Sequence, residues 1–364
     1  MTSQAAVSNV LMQARVLGAH LFCLYFPLTV MAYLLTGPRP WEQAAPWLLV
    51  VVLSVFWDKR SGAATRQPPA QLVAWPFDAL LVVHVVLQVA NLVLFCRYVE
   101  QVGFLAFDTM MAVVLVMVNS GISAIVVAHE LVHRPRHRMQ RLGRLLLSTV
   151  LYEHFFTEHI RGHHPRVGTD ADPATARFGE TYRQFFRRTV PGQFRSAWHL
   201  ECKRLGDEGM PLWDRRQKDN RVLHGVVVEC LLALGIGAVF GGGALCAFLM
   251  QAHGAVSLLE AVNYFEHYGL RRSGKKVATV DSWDAESRFT LYALVGLSRH
   301  ADHHANATRP YQQLRHFEDS PKLPYGYFAT AMLAVFKNQT FRRLMENELQ
   351  RRKLGPFAEP VVPA

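Results

Sequence analysis

Charge is scarce in this chain. Asp, Glu, Lys and Arg make up 18% of its 364 residues, against 51% for the hydrophobic types. Soluble proteins average about 25% charged residues, so the polar surface needed by two soluble domains of this total length is missing. Acid is scarcer than base, 28 residues to 39, which leaves a net charge of +11. Cysteine is scarce too. Cys23, Cys96, Cys202, Cys230 and Cys246 include no C-x-x-C pair, and most of them fall in apolar runs where a thiol behaves as a small hydrophobe. A thiolate zinc ribbon or iron–sulfur module is therefore excluded. The chain also lacks a glycine-rich dinucleotide or flavin fingerprint, an internal repeat, a low-complexity tract and any strong strand pattern. It carries no electron carrier of its own, and its folded parts are expected to be helix and loop.

What is abundant is long apolar sequence. Runs at 21–36, 45–57, 77–96 and 104–128 precede a further stretch from Val222 to about Tyr264, broken by glycines at 241–243. A bilayer core needs about 20 mostly apolar residues per helix. The second run reaches that length only with Trp41–Ala44 included. Read with the glycines as a hairpin, the last stretch forms two helices, giving about six transmembrane helices. An even number puts both termini on one side. Arg15, Lys59, Arg60, Arg66, Arg134, Arg136, Arg138, Arg141 and Arg144 fall on that side, and only Arg39 and Arg97 fall in the first two opposite loops. The positive-inside rule then places both termini in the cytoplasm. The start lacks a signal-peptide pattern, and a bacterial-type inner membrane is expected. Basic loops beside anionic lipid account for much of the net charge, and they suit an acidic soluble partner; nothing points to nucleic acid.

The expected organisation is a cytoplasmic segment (1–14), four transmembrane helices (15–133), a cytoplasmic insert (134–221), a transmembrane hairpin (222–267) and a cytoplasmic tail (268–364). Residues 141–156 are apolar but short, and they read as a helix on or dipping into the membrane interface. The fold class is thus all-α: an integral membrane protein with a cytoplasmic, histidine-rich cap.

Nine of the 17 histidines fall in four short patches. "HELVHR" holds His129 and His133, "EHIRGHH" holds His159, His163 and His164, "NYFEHYGL" holds His267, and "SRHADHHAN" holds His300, His303 and His304. On the proposed topology all four patches face the cytoplasm. Imidazoles three or four residues apart on a helix are neighbours and can share a cation. One cation takes three to six ligands, so nine histidines suit two metals. Ligation by imidazole without thiolate is compatible with zinc, copper, iron or nickel. The first patch alone is also the H-E-x-x-H of zinc proteases, with Glu130 as general base, but that leaves six clustered histidines without a purpose. A transporter would leave the patches unexplained. His20, His84, His137, His154, His199, His224, His253 and His316 stand alone and are expected to meet local hydrogen bonds.

These four patches resemble the histidine boxes of the membrane-bound non-haem diiron hydroxylases and desaturases, and most closely those of the alkane 1-monooxygenases. The N-Y-x-E-H-Y-G-L element discriminates, since ordinary fatty-acid desaturases lack it. "GTDADPATARFGE" (168–180), "SAWHLE" (196–201) and "RPYQQLRHFEDSPKLPYGY" (309–327) extend the resemblance from about residue 104 to 335. Arg134 stands where a lysine is more usual. The resemblance implies that the nine histidines ligate two iron ions, with dioxygen as co-substrate. It implies hydroxylation of a terminal carbon of an alkane or alkyl chain entering from the lipid bilayer. Electrons would come from a rubredoxin or ferredoxin-type protein with an NAD(P)H reductase. Desaturation or decarboxylation of an acyl chain, or aryl-methyl (xylene-type) hydroxylation, would use the same site. Glu130, Glu158, Glu266 and Asp302 each lie beside such a histidine and are expected to accept the imidazole N–H that faces away from the metal; their other reading is pairing with arginine.

Overall fold

The computed structural model describes residues 3–272 and 274–359. The first two residues of the expected N-terminal segment, and Ser273 and the last five residues of the expected tail, lie outside them. Among the described residues there is no β-strand, only isolated bridges at Ala63–Ser287 and Asp284–Lys322. The chain is all-α. Among the described residues four helices are long and apolar enough to cross a bilayer: Ser8–Thr36, Trp75–Val102, Phe107–Val132 and Arg221–His267. Lipid offers no water to satisfy backbone N–H and C=O groups, so an apolar run of this length pairs them within a helix. Pro76 sits in the first turn of its helix, where a missing N–H costs nothing, and Gly103, at φ +92°, ends that helix.

Arg221–His267 is 47 residues long, about 70 Å if straight and over twice the thickness of a bilayer core. It is not straight. Gly241 has φ +84° and ψ 171°, outside the helical region. A β-carbon on Gly237 would lie 3.3 Å from Leu245 Cδ2, an approach that eight residues of continuous helix, about 12 Å of rise, would forbid. The chain reverses at Gly241. Asn220 caps the start, its side chain accepting the N–H groups of Val222 and Leu223 at 2.9 and 3.1 Å.

Two expectations need adjustment. The second apolar run is divided into Trp41–Ala44, a tighter turn at Ala45–Leu48 and Leu49–Arg60, because Pro46 cannot donate to the helical ladder. None of these pieces alone has spanning length. The stretch 141–156 is not one interfacial helix. His137–Ser148 is a helix whose Leu146 and Leu147 are fully buried, and the chain then turns, with Leu151 at φ +55°, before Phe155–Glu158. Its apolar face packs on the end of the Phe107–Val132 helix. Gly143 permits this, since a β-carbon there would meet Val132 Cγ1 at 2.8 Å.

Buried polar side chains tie three spanning helices together. Gln88 donates to Ser120 Oγ at 3.0 Å, Asn119 donates to Gln88 Oε1 at 3.0 Å, and Ser120 donates to Gln251 Oε1 at 2.7 Å. Such bonds between helices hold where hydrophobic packing alone offers little direction. They flank Ser120–Val126, a wide π-helical turn that rotates the next turn, and with it His129. The tail docks on the far end of the hairpin. Trp283 is fully buried; its backbone N–H donates to Glu266 O at 2.9 Å and its indole N–H to Tyr268 O at 3.0 Å.

Candidate metal centre

The four histidine patches meet at one end of the helical bundle. His129, His133, His159, His164 and His303 form one group, and His163, His267, His300 and His304 a second; within each group, one nitrogen per ring lies within 4.8 Å of the others. The Nε2 atoms face one another: His164 and His159 at 3.0 Å, His303 and His164 at 3.2 Å, His163 and His304 at 3.3 Å, His300 and His267 at 3.3 Å. The groups abut, with the rings of His164 and His304 stacked 4.4 Å apart.

Local backbone form decides which ring goes where. His159–His163 is π-helical, so His159 and His164, five apart, share a face and a group. His163, adjacent in sequence to His164, turns to the other group. In the last patch, helix His300–Ala305 places His300 and His304 together by ordinary i, i+4 spacing and sends His303 to the first group. His267 ends the hairpin. Gly269, at φ +69°, turns the chain away there; a β-carbon on it would meet Leu349 Cδ1 at 2.8 Å. His267 is fully buried, not at a lipid interface between Tyr264 and Tyr268.

Burial disfavours protonation of most of these imidazoles. It is the largest cause that holds His133 down to about 3 and sets His159, His164, His300, His303 and His304 well below the usual range, with neighbouring imidazoles adding to it. A neutral ring has the free lone pair that a metal needs. Nε2 of His129 and of His133 is buried without a hydrogen-bond partner.

The acids beside the histidines behave differently from expectation. Glu130 accepts the Tyr311 N–H at 3.1 Å and pairs with Arg134 at 3.1 Å. Glu158 pairs with Arg166 at 2.8 Å, and burial pushes its carboxyl up to about 7 against Ser196 and Arg166. Asp302 pairs with Arg309 and Arg315, each at 3.1 Å. Arginine, with its forked donors, takes these three carboxylates, and among the described residues none of them meets an imidazole. Glu266 does: its Oε2 lies 3.2 Å from His300 Nε2, on the face shared with His267, while its Oε1 accepts the Tyr327 hydroxyl at 2.6 Å. The carboxylate that meets an outward imidazole nitrogen is Asp172, 2.9 Å from His163 Nδ1. Burial opposes its charge, but His163 and the Thr175 hydroxyl outweigh this and hold its carboxyl below the usual range. The only sequence signal for Asp172 is its place in "GTDADPATARFGE".

A cavity of about 640 Å³ reaches the histidines. His129, His159, His300 and Glu266 line one end, and the remaining wall is mostly apolar, including Ile125, Ile122, Met117 and Leu258. It follows the Phe107–Val132 helix from His129 back to Val114, about 22 Å of helix. Met332 and Phe336, 46% and 73% exposed, also line it, so it reaches the apolar outer face.

Residues 107–332 match the family model described as fatty acid desaturase, a span that holds all nine histidines. The alkane 1-monooxygenase of Acinetobacter baylyi is 33% identical over 313 residues, 84% of this chain and 76% of that protein. This chain belongs to the alkane 1-monooxygenase family of the desaturase-like superfamily. Alkane 1-monooxygenase 1 of Pseudomonas aeruginosa is 42% identical over 221 residues, 59% of this chain. The match spans 57% of that relative's length. The hydroxylase component of a xylene/toluene monooxygenase from Pseudomonas putida is a more distant member of the superfamily, 27% identical over 64% of this chain. The chain is thus a multi-pass membrane protein of this family, with histidine clusters able to bind metal.

Proposed function

We propose that this chain is a membrane-bound monooxygenase that hydroxylates a terminal carbon of an alkane or alkyl chain. The observation that carries the reading is the convergence of nine imidazoles, in two groups, at one end of a long apolar cavity. His129, His133, His159, His164 and His303 would hold one iron, and His163, His267, His300 and His304 the other. The buried, unpartnered Nε2 atoms of His129 and His133 fit such ions, and the all-nitrogen donor set suits iron. When bound, the pair supplies the oxidising power that lets dioxygen attack an unactivated C–H bond. The balance is R–CH3 + O2 + 2 e− + 2 H+ → R–CH2OH + H2O: a C–H bond gives way to C–O, and the second oxygen atom leaves as water.

The chain's own residues do the positioning. Asp172 orients His163 and favours the Nδ1–H tautomer, leaving Nε2 as the ligand atom. Tyr327 fixes the Glu266 carboxylate beside His300. The apolar wall binds an alkyl chain, excludes water and guides the chain end to His129 and His300. The cavity's length favours an unbranched chain over the compact ring of a xylene-type substrate.

The reversal at Gly241 supports a hairpin in the last span; counting the divided stretch 41–60 as one crossing, the reading is six membrane spans, with boundaries at residues 14, 133, 221 and 267 and both termini in the cytoplasm of a bacterial-type inner membrane. The chain has no electron carrier, so a rubredoxin or ferredoxin-type donor with an NAD(P)H reductase would dock on the basic face. The test is metal analysis with product identification. We expect two irons per chain and a terminal alcohol formed only when donor and reductase are both present. A zinc-only preparation that keeps full activity overturns the reading.

A further inference from the structure

Among the described residues, four uncharged polar side chains besides the histidines line the cavity: Tyr182, Ser257, Asn263 and Tyr327. Three of them already donate within the protein. Tyr182 donates to Ser257 O at 2.7 Å, Ser257 to His253 O at 2.8 Å and Tyr327 to Glu266 Oε1 at 2.6 Å. Asn263 differs. Its side-chain N–H donates to Glu260 Oε2 at 3.2 Å, and among the described residues nothing donates to its carbonyl.

Glu260 fixes which way that amide points. It is fully buried, three residues before Asn263 on the same helix. Tyr152 and Gln193 donate to its Oε1 at 2.9 and 2.8 Å from two other segments, so Glu260 serves as the acceptor of this network. The amide nitrogen of Asn263 must then face Glu260, and its carbonyl must face the other way. Asn263 is 5% exposed, and the space left to that carbonyl is the cavity. Asn263 precedes Glu266 by three residues and His267 by four, so it stands about 5 Å of helix rise back from the histidine end.

Hydroxylation changes one thing that an apolar wall can recognise: a chain with no hydrogen-bond donor gains one. We propose that Asn263, oriented by Glu260, is a subsite for the hydroxyl of the product alcohol. The Asn263 carbonyl accepts the O–H, and the alcohol settles about one helical turn back from the histidines, which clears them for the next chain. Without this acceptor the hydroxyl would lie unpaired among apolar side chains. Asn263 is thus a binding residue and Glu260 a positioning residue. This rests on the monooxygenase reading above.

The test uses the purified full chain in nanodiscs of zwitterionic lipid, with equilibrium binding of labelled dodecane, dodecan-1-ol and 1-methoxyundecane. The ether has the alcohol's atoms but no O–H to donate. We expect the wild type to bind the alcohol about tenfold more tightly than the ether. Asn263→Leu keeps the volume and removes the acceptor; it should bring the alcohol down to the ether and leave dodecane unchanged. Glu260→Gln keeps a carbonyl for the Asn263 N–H and should stay near wild type, whereas Glu260→Leu frees the amide and should lose most of the preference. Equal binding of alcohol and ether by the wild type overturns the subsite without any variant. So does an Asn263→Leu change that weakens all three ligands alike or leaves the preference intact. A preference lost in Asn263→Leu but kept in Glu260→Leu overturns the part assigned to Glu260. An Asn263-dependent preference, with no dodecan-1-ol formed from dodecane when donor and reductase are supplied, leaves the subsite standing and overturns the monooxygenase reading.

Discussion

The two histidine groups use one side chain and hold it in different ways. The first has five rings, and the three acids adjacent to its members in sequence, Glu130, Glu158 and Asp302, are bound to arginines. His133 and His164 in it are only half-buried. The second has four rings, all buried, and two carboxylates meet them: Asp172 at His163 Nδ1 and Glu266 beside His300 Nε2. The difference suggests a division of labour to test: if both groups hold metal, the five-ring group can better bear the loss of a ring, and the four-ring group relies more on its carboxylates.

The largest test of this contrast is ligand deletion. His267→Ala removes one of four rings and should leave about one iron per chain, with turnover reduced at least about 100-fold. His133→Ala removes one of five and should lose less metal. His253, exposed on the same helix as His267, is the control, and His253→Ala should keep iron and most activity. Equal iron loss from the two groups would break the contrast.

A smaller effect separates the carboxylates. Asp172→Asn should weaken metal retention about 10- to 100-fold, seen as faster iron loss to a chelator. Glu130→Gln should leave retention near wild type and instead lower thermal stability, because it removes one of the two carboxylates paired with the buried Arg134; Asp78, also at 3.1 Å, remains, so the loss should fall below the about 3–5 kcal/mol of a buried ion left unpaired. If Glu130→Gln releases metal as fast as Asp172→Asn, the first group too depends on its acid.

The smallest effect concerns a buried histidine outside both groups. His154 packs against Tyr152 and Phe194, and burial lowers it to about 4 from its ordinary 6.5. Between those values the unfolded chain binds a proton that the folded chain does not, so stability falls as pH drops through that window, by up to about 3 kcal/mol. His154→Phe should lose less stability between pH 6.5 and 4 in denaturant unfolding and should not change iron content. A fall in iron would place His154 among the residues that support the centre.

Much of this could be read along the chain, and what could not has physical reasons. The apolar runs, the all-α class and the break at the 241–243 glycines are written in local composition. So are the nine clustered histidines, because ligands presented on helices must recur at short spacing. The stretch 141–156 is not one helix because the chain turns at Leu151 and buries Leu146 and Leu147 against protein, which composition alone does not distinguish. Asp172 was missed because it lies nine residues from His163, in a loop with no periodicity to mark it.

The sequence by itself determined that long stretches had to be helices in lipid and that nine imidazoles would cluster, since both follow from residue type and spacing. Only the tertiary structure decided how they divide. A π-helical turn sends the adjacent His163 and His164 to different groups, and residues far apart in the chain compete for each carboxylate. Arginine wins Glu130, Glu158 and Asp302, and imidazole wins Asp172. That competition is settled by distances between segments that meet only when the bundle closes.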